Sequence, residues 1–323
     1  MRAEPAIAAT PPREATLRLA IAGCGRIAER GYIPALRRVP DASLIAVADP
    51  EPTRREGIRA AAAALGGRLP AAYASLERLL AEEAPDAVVI ATPTDLHLAQ
   101  AGLAAGAGIP SLVEKPPAST LAEAERLAEL EPSPWIGFNR RFMADARIRE
   151  RARRLAEPRL RVELRYRRRA WNPLSARDEA LLDAAPHAID LVLFLSGAAP
   201  AAVRARRLDD RGAELELTLD RGEALIRCSL HRPYRERVVV RDGSVWPVAR
   251  DHRGGLRGAV AARLRPGEHP LVASIVAQLS AFMRVAAGGD PWPLASAADG
   301  IEVMRVVKAA RRSLVRDRAW VPA

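Results

Sequence analysis

Residues 17–30 read LRLAIAGCGRIAER, and the rest of the chain is read outward from them. Leu17–Ala22 is an apolar run of the length of one buried strand; after the glycines, Ile27, Ile33 and Leu36 recur at helical spacing. The junction Gly23-Cys24-Gly25-Arg26-Ile27-Ala28 fits G-x-G-x-x-A, the strand–turn–helix that holds a dinucleotide. Gly23 permits the tight turn, and Gly25 lets the backbone approach a pyrophosphate. Ala28 lets the helix pack closely on the strand, and the helix N-terminus attracts the anion. The next strand, SLIAVAD (43–49), ends in Asp49, an acid placed to bind both ribose hydroxyls and to repel a 2′-phosphate. NAD is therefore the expected cofactor. Arg54 and Arg55 follow closely and keep NADP open as the second choice.

Strands and helices then alternate. DAVVIATP (86–93), SLVEKP (111–116) and WIGFNRRF (135–142) read as further strands, with a weak one near 71–74. An Ala-rich helix runs to Gly66-Gly67, another covers 95–106, and Thr120 with Glu123 makes a capping box for a helix over 121–131. This rhythm predicts an N-terminal Rossmann domain with a doubly wound parallel sheet. Beyond about residue 158, Leu160, Val162, Leu164 and Tyr166 alternate with Arg161, Glu163, Arg165 and Arg167, the period of a half-exposed strand. Similar runs at 201–208, 213–220, 223–231 and 235–241 are punctuated by Asp-Arg-Gly and Asp-Gly turns. They predict a C-terminal α/β domain with a mainly antiparallel open sheet, a helix near 185–196 and closing helices near 270–286 and 297–315. At 323 residues the chain exceeds one hydrophobic core. The expected division is a flexible tail over 1–16, the dinucleotide-binding domain over 17–138, and a substrate and oligomerisation domain over 139–323.

The formal net charge of +11 comes from arginines scattered through helices and strands, with no basic block interleaved with aromatics, so no nucleic-acid partner is expected. No apolar run approaches the roughly 20 residues that cross a bilayer, and residues 1–16 lack the apolar centre of a signal peptide. Cys24 and Cys228 are too few for a disulfide framework or a zinc site. No metal site and a cytoplasmic location follow as expectations.

Among the 50 basic residues only Lys115 and Lys308 are lysines. Arginine stays protonated, whereas lysine can be tuned to exchange a proton, so a rare lysine draws attention to its chemistry. Lys308 lies on an amphipathic helix. Lys115 ends the fifth strand in Glu114-Lys115-Pro116-Pro117, where open α/β sheets bind their ligands. Asp183 and His187 are four residues apart, with Asp190 one turn further, so a helix would bring a histidine and a carboxylate to one face.

GCGRIA (23–28), ADP (48–50), ATPTDLH (91–97), EKP (114–116), GFNRRF (137–142) and D-x-x-x-H-x-x-D (183–190) occur in the order characteristic of one oxidoreductase family. The chain resembles the glucose–fructose oxidoreductase, inositol dehydrogenase and rhizopine-catabolism (Gfo/Idh/MocA) family over roughly 17–316. The resemblance implies a hydride-transfer enzyme with Lys115, His187 and Asp183 as its catalytic set. It further implies that Thr92, Pro93, His97, Glu114 and Lys115 line the cofactor and that Asn139 and Arg141 lie near the active-site mouth. Trp171 and Asn172 are added as candidate substrate contacts. A hydroxyl or keto carbon of a sugar, cyclitol or nucleotide-linked sugar is the expected substrate, and a homodimer or homotetramer through the C-terminal sheet the expected assembly. Reduction of an imine or enone on the same scaffold, or a non-catalytic NAD(P)-binding sensor, are the alternatives. Where the family has D-x-G-x-H, this chain has Ala184-Ala185-Pro186 between Asp183 and His187. Proline is tolerated only in a helix's first turn. The helix is thus expected to begin near Pro186, leaving Asp183 in the preceding loop.

Overall fold

The computed structural model describes residues 16–64, 66, 68–144, 146–167, 180–241, 248–253 and 270–323. Six parallel strands build the first sheet: β1 (Leu17–Ala22), β2 (Ala42–Ala48), β3 (Ala71–Tyr73), β4 (Ala87–Ile90), β5 (Ser111–Val113) and β6 (Trp135–Ile136). Their order is β6-β5-β4-β1-β2-β3, so the strand order reverses at the β1–β4 pair. The central strands are mostly apolar because helices cover both faces; β4 is apolar and buried throughout. A π-helical turn, Ala28–Tyr32, runs into α1 (Ile33–Leu36) straight after the glycine turn. α2 (Pro52–Ala64), α3 (Leu76–Glu83), α4 (His97–Gly106) and α5 (Leu121–Ala128) complete the crossovers. The capping box forms as the sequence predicts. Glu123 N–H donates to Thr120 Oγ1 at 3.2 Å, and Thr120 N–H donates to Glu123 Oε2 at 3.1 Å.

The second sheet holds β7 (Arg159–Arg167), β8 (Pro200–Leu208), β9 (Gly212–Leu219), β10 (Glu223–Ser229), β11 (His231–Arg241) and β12 (Val248–Arg253). They run β12-β11-β7-β10-β9-β8. All neighbours are antiparallel except β7 and β10. Alternation alone pairs β10 with β11, which only Leu230 separates. β7 instead inserts between them, because its Leu160, Val162 and Leu164 complete the buried face. β12 lies in a stretch where the sequence shows no apolar alternation. Its Arg-Asp-His-Arg composition hides the strand, which rests on backbone pairing to β11. β14 (Val321–Pro322) closes the far edge on β8.

The buried face of this sheet is covered by α8 (Ala185–Ser196), in which every residue but Leu193 is buried. α6 (Ala146–Arg154), which the sequence reading passed over, packs Ile148 and Ala152 inward beneath a basic outer face. The final helices divide. α10 (Ala297–Val315) lies against β8 and α5. α9 (Pro270–Ala286) returns to the first sheet, where Val272, Ile275, Leu279 and Phe282 share one core with Leu19, Ile21, Tyr32 and Leu112. β13 (Ala295–Ser296) then adds an antiparallel edge to β6. The last third of the chain therefore spans both sheets. On the outward face of the second sheet, Arg204–Glu216 (2.9 Å), Arg227–Glu214 (3.0 Å) and Arg235–Asp251 (2.6 Å) form ladders of ion pairs.

Candidate active site

The dinucleotide turn explains its own glycines. Gly23 has φ +93°, and a Cβ there would stand 2.5 Å from the Ala91 carbonyl oxygen, so no side chain fits. A Cβ on Gly25 would meet nothing within 4 Å. The space above the helix start is open, which fits a pyrophosphate approaching the backbone. Arg26 and Ile27 are half-buried at that start, with Ala28 buried beneath them. Asp49 is pinned against the turn: Cys24 N–H donates to Oδ2 and Glu51 N–H to Oδ1, each at 2.9 Å. Each oxygen keeps a lone pair for a ribose hydroxyl. Arg55 donates to the carbonyl oxygens of Asp49 (2.6 Å) and Pro50 (3.1 Å), while Arg54 is exposed. Burial, with Asp49 beside it, pushes the Cys24 thiol up to about 12, so this cysteine is a filler and not a nucleophile.

At the end of β4, Thr92 is half-buried with its hydroxyl donating to Gln100 Oε1 at 2.7 Å, and Pro93 is exposed at the rim. His97 does not line the opening as the resemblance implies. Its Nε2 lies 2.9 Å from the Thr92 carbonyl, and its Nδ1 lies 3.1 and 3.3 Å from the carbonyls of Pro116 and Pro117. Carbonyl oxygens thus face both ring nitrogens, and the neutral imidazole donates its one N–H to backbone on one side. His97 braces the β4 loop against the loop that carries Lys115. Burial holds its pKa below the ordinary value, against the opposite pull of the three carbonyls.

Lys115 Nζ donates to both the Oδ1 and the carbonyl oxygen of Asp183, each at 2.9 Å. Asp183 ends a short helical turn, α7 (Ala180–Asp183), and Pro186 falls in the first turn of α8, where a missing N–H costs nothing. The proline therefore does not remove Asp183 from the site. It separates the two turns so that the carboxylate faces Lys115. One turn later, His187 is 8 % exposed, its Nδ1 has no hydrogen-bond partner, and the Phe138 ring stands edge-on 6.3 Å away. Burial, and then the charges of Lys115 and Arg140, hold its pKa well below the ordinary value. The imidazole is neutral, so one of its two ring nitrogens carries no proton.

The two arginines of GFNRRF point to different places. Arg141, expected at the substrate, is instead locked in the core. Its Nε reaches both Asp190 oxygens at 2.9 and 3.0 Å, and its other nitrogens contact Asp299 and the Leu294 carbonyl. These partners leave it no free donor for a ligand. Arg140 turns toward His187 and pairs with Glu236 at 3.0 Å, which also accepts from the Tyr234 hydroxyl at 3.2 Å. Asn139 is 4 % exposed, and its Oδ1 is buried without a partner. Trp171 and Asn172 lie outside the described residues. Sequence reasoning missed Arg140, Tyr166, Tyr234 and Glu236. One signal was present: Glu236 occupies an inward position of β11, opposite Leu164, where a charge demands a partner. Tyr166, at the end of the inward row of β7, hydrogen-bonds Asp183; burial, then that carboxylate, raises its pKa well above the ordinary value. Among the described residues no cluster of His, Cys, Asp and Glu could hold a metal ion.

A glycine turn closed over β1, an acid at the end of β2 and a lysine–carboxylate–imidazole group beyond β5 define an oxidoreductase built on an NAD-binding Rossmann fold. Residues 17–133 match the family model of that description. The chain belongs to the Gfo/Idh/MocA family. An inositol 2-dehydrogenase from Leifsonia xyli subsp. xyli is 34 % identical over 210 residues, which is 61 % of this chain and 59 % of that protein's length. An oxidoreductase of Salmonella typhimurium named YceM is 30 % identical over 257 residues, covering 74 % of this chain and 80 % of its own. The fold matches that of myo-inositol dehydrogenase from Lactobacillus casei, solved with NAD(H) and myo-inositol, with TM-score 0.77 at 18 % identity over 95 % of this chain and 97 % of that one. NAD is the cofactor this family's fold carries, and the open cradle at Gly25 with the pinned Asp49 fits it. No helix among the described residues is long and apolar enough to cross a membrane.

Proposed function

We propose that this protein is a dehydrogenase that moves a hydride between NAD and a hydroxyl-bearing carbon of a sugar, a cyclitol or a nucleotide-linked sugar. The observation that carries this reading is the neutral, buried His187, one helical turn from the Lys115–Asp183 pair that lies beyond the end of β5. Bound NAD supplies the hydride acceptor for the carbon. The chain supplies everything the oxygen needs. In the oxidising direction the hydroxyl proton requires a base that starts without one. The neutral imidazole of His187, with one ring nitrogen that carries no proton, meets that condition, and the ion-paired ammonium of Lys115 does not. Lys115 donates to the substrate oxygen and holds the charge that develops as the proton leaves. Asp183 fixes the Lys115 ammonium in place. Burial around His187 keeps competing water away from the exchanging proton.

The names of several relatives support the substrate class: inositol 2-dehydrogenases and a UDP-N-acetylglucosamine 3-dehydrogenase are among the similar proteins. We assign residues 17–138 to cofactor binding and 139–323 to substrate binding and assembly, with α9 returning to brace the first sheet. The interleaved arginines and glutamates on the outward face of the second sheet are charge-complementary to themselves, which supports a second copy of this chain as partner, in a homodimer or homotetramer. Turnover followed at the reduced-nicotinamide band, over a panel of sugars, cyclitols and nucleotide sugars, tests the function. The expected result is turnover with a polyol that Lys115→Met abolishes while NAD binding stays within a few-fold. Unchanged turnover in that variant refutes the assignment.

A further inference from the structure

Beside the lysine–histidine pair lies a second group of buried polar side chains that the proposed chemistry does not use. Glu114 precedes Lys115 at the end of β5 and is 8 % exposed. Its Oε1 accepts from the Tyr32 hydroxyl at 2.6 Å, and its Oε2 accepts from the Lys115 backbone N–H at 3.2 Å. Tyr32 and Gln278 are both fully buried, and Gln278 Nε2 lies 3.3 Å from the Tyr32 oxygen. Each hydrogen of this chain points one way: from the Gln278 amide to the Tyr32 oxygen, and from the Tyr32 hydroxyl to Glu114. The Lys115 N–H can only donate, so both carboxyl oxygens face donors, the arrangement that suits an ionised carboxylate. Gly137 packs on the same group, where a Cβ would come within 3.2 Å of Oε2, so a larger residue there would press on the carboxylate.

The charges nearby do not neutralise it. Lys115 is already paired with Asp183, and Tyr32 and Gln278 are neutral donors. Burial pushes the Glu114 carboxyl above the ordinary range, against the pull of the Tyr32 hydroxyl, the Lys115 charge and its N–H. The dinucleotide runs from Asp49 at the end of β2, over the Gly25 turn after β1, toward the ends of β4 and β5. Its nicotinamide end, by this path, comes to the strand end that carries Glu114. The ring is cationic when oxidised and neutral when reduced, so a fixed negative charge there does not treat the two forms alike.

We propose that Glu114 is a positioning and tuning residue: its buried carboxylate, held by Tyr32 and Gln278, makes this chain bind the oxidised dinucleotide more tightly than it otherwise would relative to the reduced one. The inference rests on the cofactor reading and not on the identity of the substrate. It goes beyond holding the Lys115 loop, because a purely structural Glu114 would change both affinities together.

The test measures dissociation constants for NAD⁺ and NADH separately, by calorimetry and by NADH fluorescence, without any substrate. In Glu114→Gln the carboxamide keeps the shape and loses the charge. The ratio of the NAD⁺ constant to the NADH constant is expected to rise about tenfold, the scale of one charge acting through a partly buried site. A second arm uses the unmodified protein. As pH falls and Glu114 takes up a proton, the same ratio should rise, and Tyr32→Phe should move that rise to higher pH by removing a donor to the ionised form. The titratable groups facing the carboxyl in this arm are Tyr32 and Lys115. A ratio within twofold of the unmodified protein in Glu114→Gln, or one flat with pH if that variant does not fold, overturns the inference and leaves the dehydrogenase reading standing. Binding of neither dinucleotide overturns both.

Discussion

Arg141→Met separates two ways of reading GFNRRF. If Arg141 serves the substrate, its loss weakens catalysis and leaves the fold alone. The geometry argues the reverse. The Arg141 and Asp190 side chains are 5 % and 1 % exposed, and the guanidinium contacts both Asp190 oxygens. Removing the cation strands a buried carboxylate, and breaking one side of such a pair costs about 3–5 kcal/mol. Asp299 loses the same cation, but its side chain is 41 % exposed and stays bonded to Ser296, so it adds little. A net loss of about 4 kcal/mol would consume much of a domain's usual stability of roughly 5–15 kcal/mol. With a urea slope of about 3 kcal/mol per molar, the unfolding midpoint falls by about 1 M or more, read by tryptophan fluorescence. Adding Asp190→Leu to Arg141→Met should restore most of the loss, because the stranded charge is gone. A loss below about 1 kcal/mol in the single variant, the range of an ordinary surface change, would refute the structural role. So would intact stability with a raised KM, which would return Arg141 to the substrate.

The two glycines of the turn should respond differently to alanine. Gly23→Ala drives a methyl into the Ala91 carbonyl at a positive φ and should lower both the melting temperature and NAD affinity. Gly25→Ala meets no protein atom, so stability should stay within about 0.5 kcal/mol while calorimetry shows NAD affinity falling at least tenfold. His187 supplies a pH dependence. Its folded pKa is depressed below the unfolded value of about 6.5, so the unfolded chain binds the proton first, and stability falls as pH drops through that value. Urea midpoints at pH 7 and pH 5 should therefore draw closer together in His187→Gln, by up to about 1.4 kcal/mol per pH unit. His97→Leu leaves the carbonyls of Thr92, Pro116 and Pro117 without the ring between them and should cost about 2–3 kcal/mol, measured by thermal melting.

The first sheet was legible because parallel strands buried on both faces leave unmistakable apolar runs, and G-x-G-x-x-A names its own position in the topology. The helix over 185–196 was legible from the same periodicity. The second sheet was legible as strands but not as an order of strands. Alternation says which face of β7 is buried and says nothing about β7 entering between β10 and β11. β12 was hidden because backbone pairing, with no apolar pattern, defines it. At the site, the motif spacing pointed to Lys115, Asp183 and His187 as a set, and the structure holds Lys115 on Asp183 with His187 one turn further on. An i, i+4 pair suggests that Asp183 serves His187, yet the break at Ala184 and Pro186 turns the carboxylate to Lys115. For the same reason a motif with two adjacent arginines could not tell which one pairs with Glu236 and which with Asp190. Neighbours in sequence on a tight helical turn face different elements, and only the fold decides which.

The arrangement of charge then constrains the chemistry more than any single residue does. Lys115 is matched by Asp183, Arg140 by Glu236, and Arg141 by Asp190 and Asp299. Each pair joins segments far apart in the chain, so folding the second sheet onto the first is what completes every one of them. His187 is buried near two of these cations, and burial, then the charges of Lys115 and Arg140, is why its imidazole stays neutral. A site of this kind does not hold a proton in reserve. It holds a neutral imidazole near an ion-paired ammonium, the combination that the proposed removal of a proton from a hydroxyl calls for. A carboxylate moved to His187 would reverse that preference. Here Asp183 spends its Oδ1 on Lys115 and also accepts from Tyr166, so the carboxylate serves the ammonium and not the imidazole.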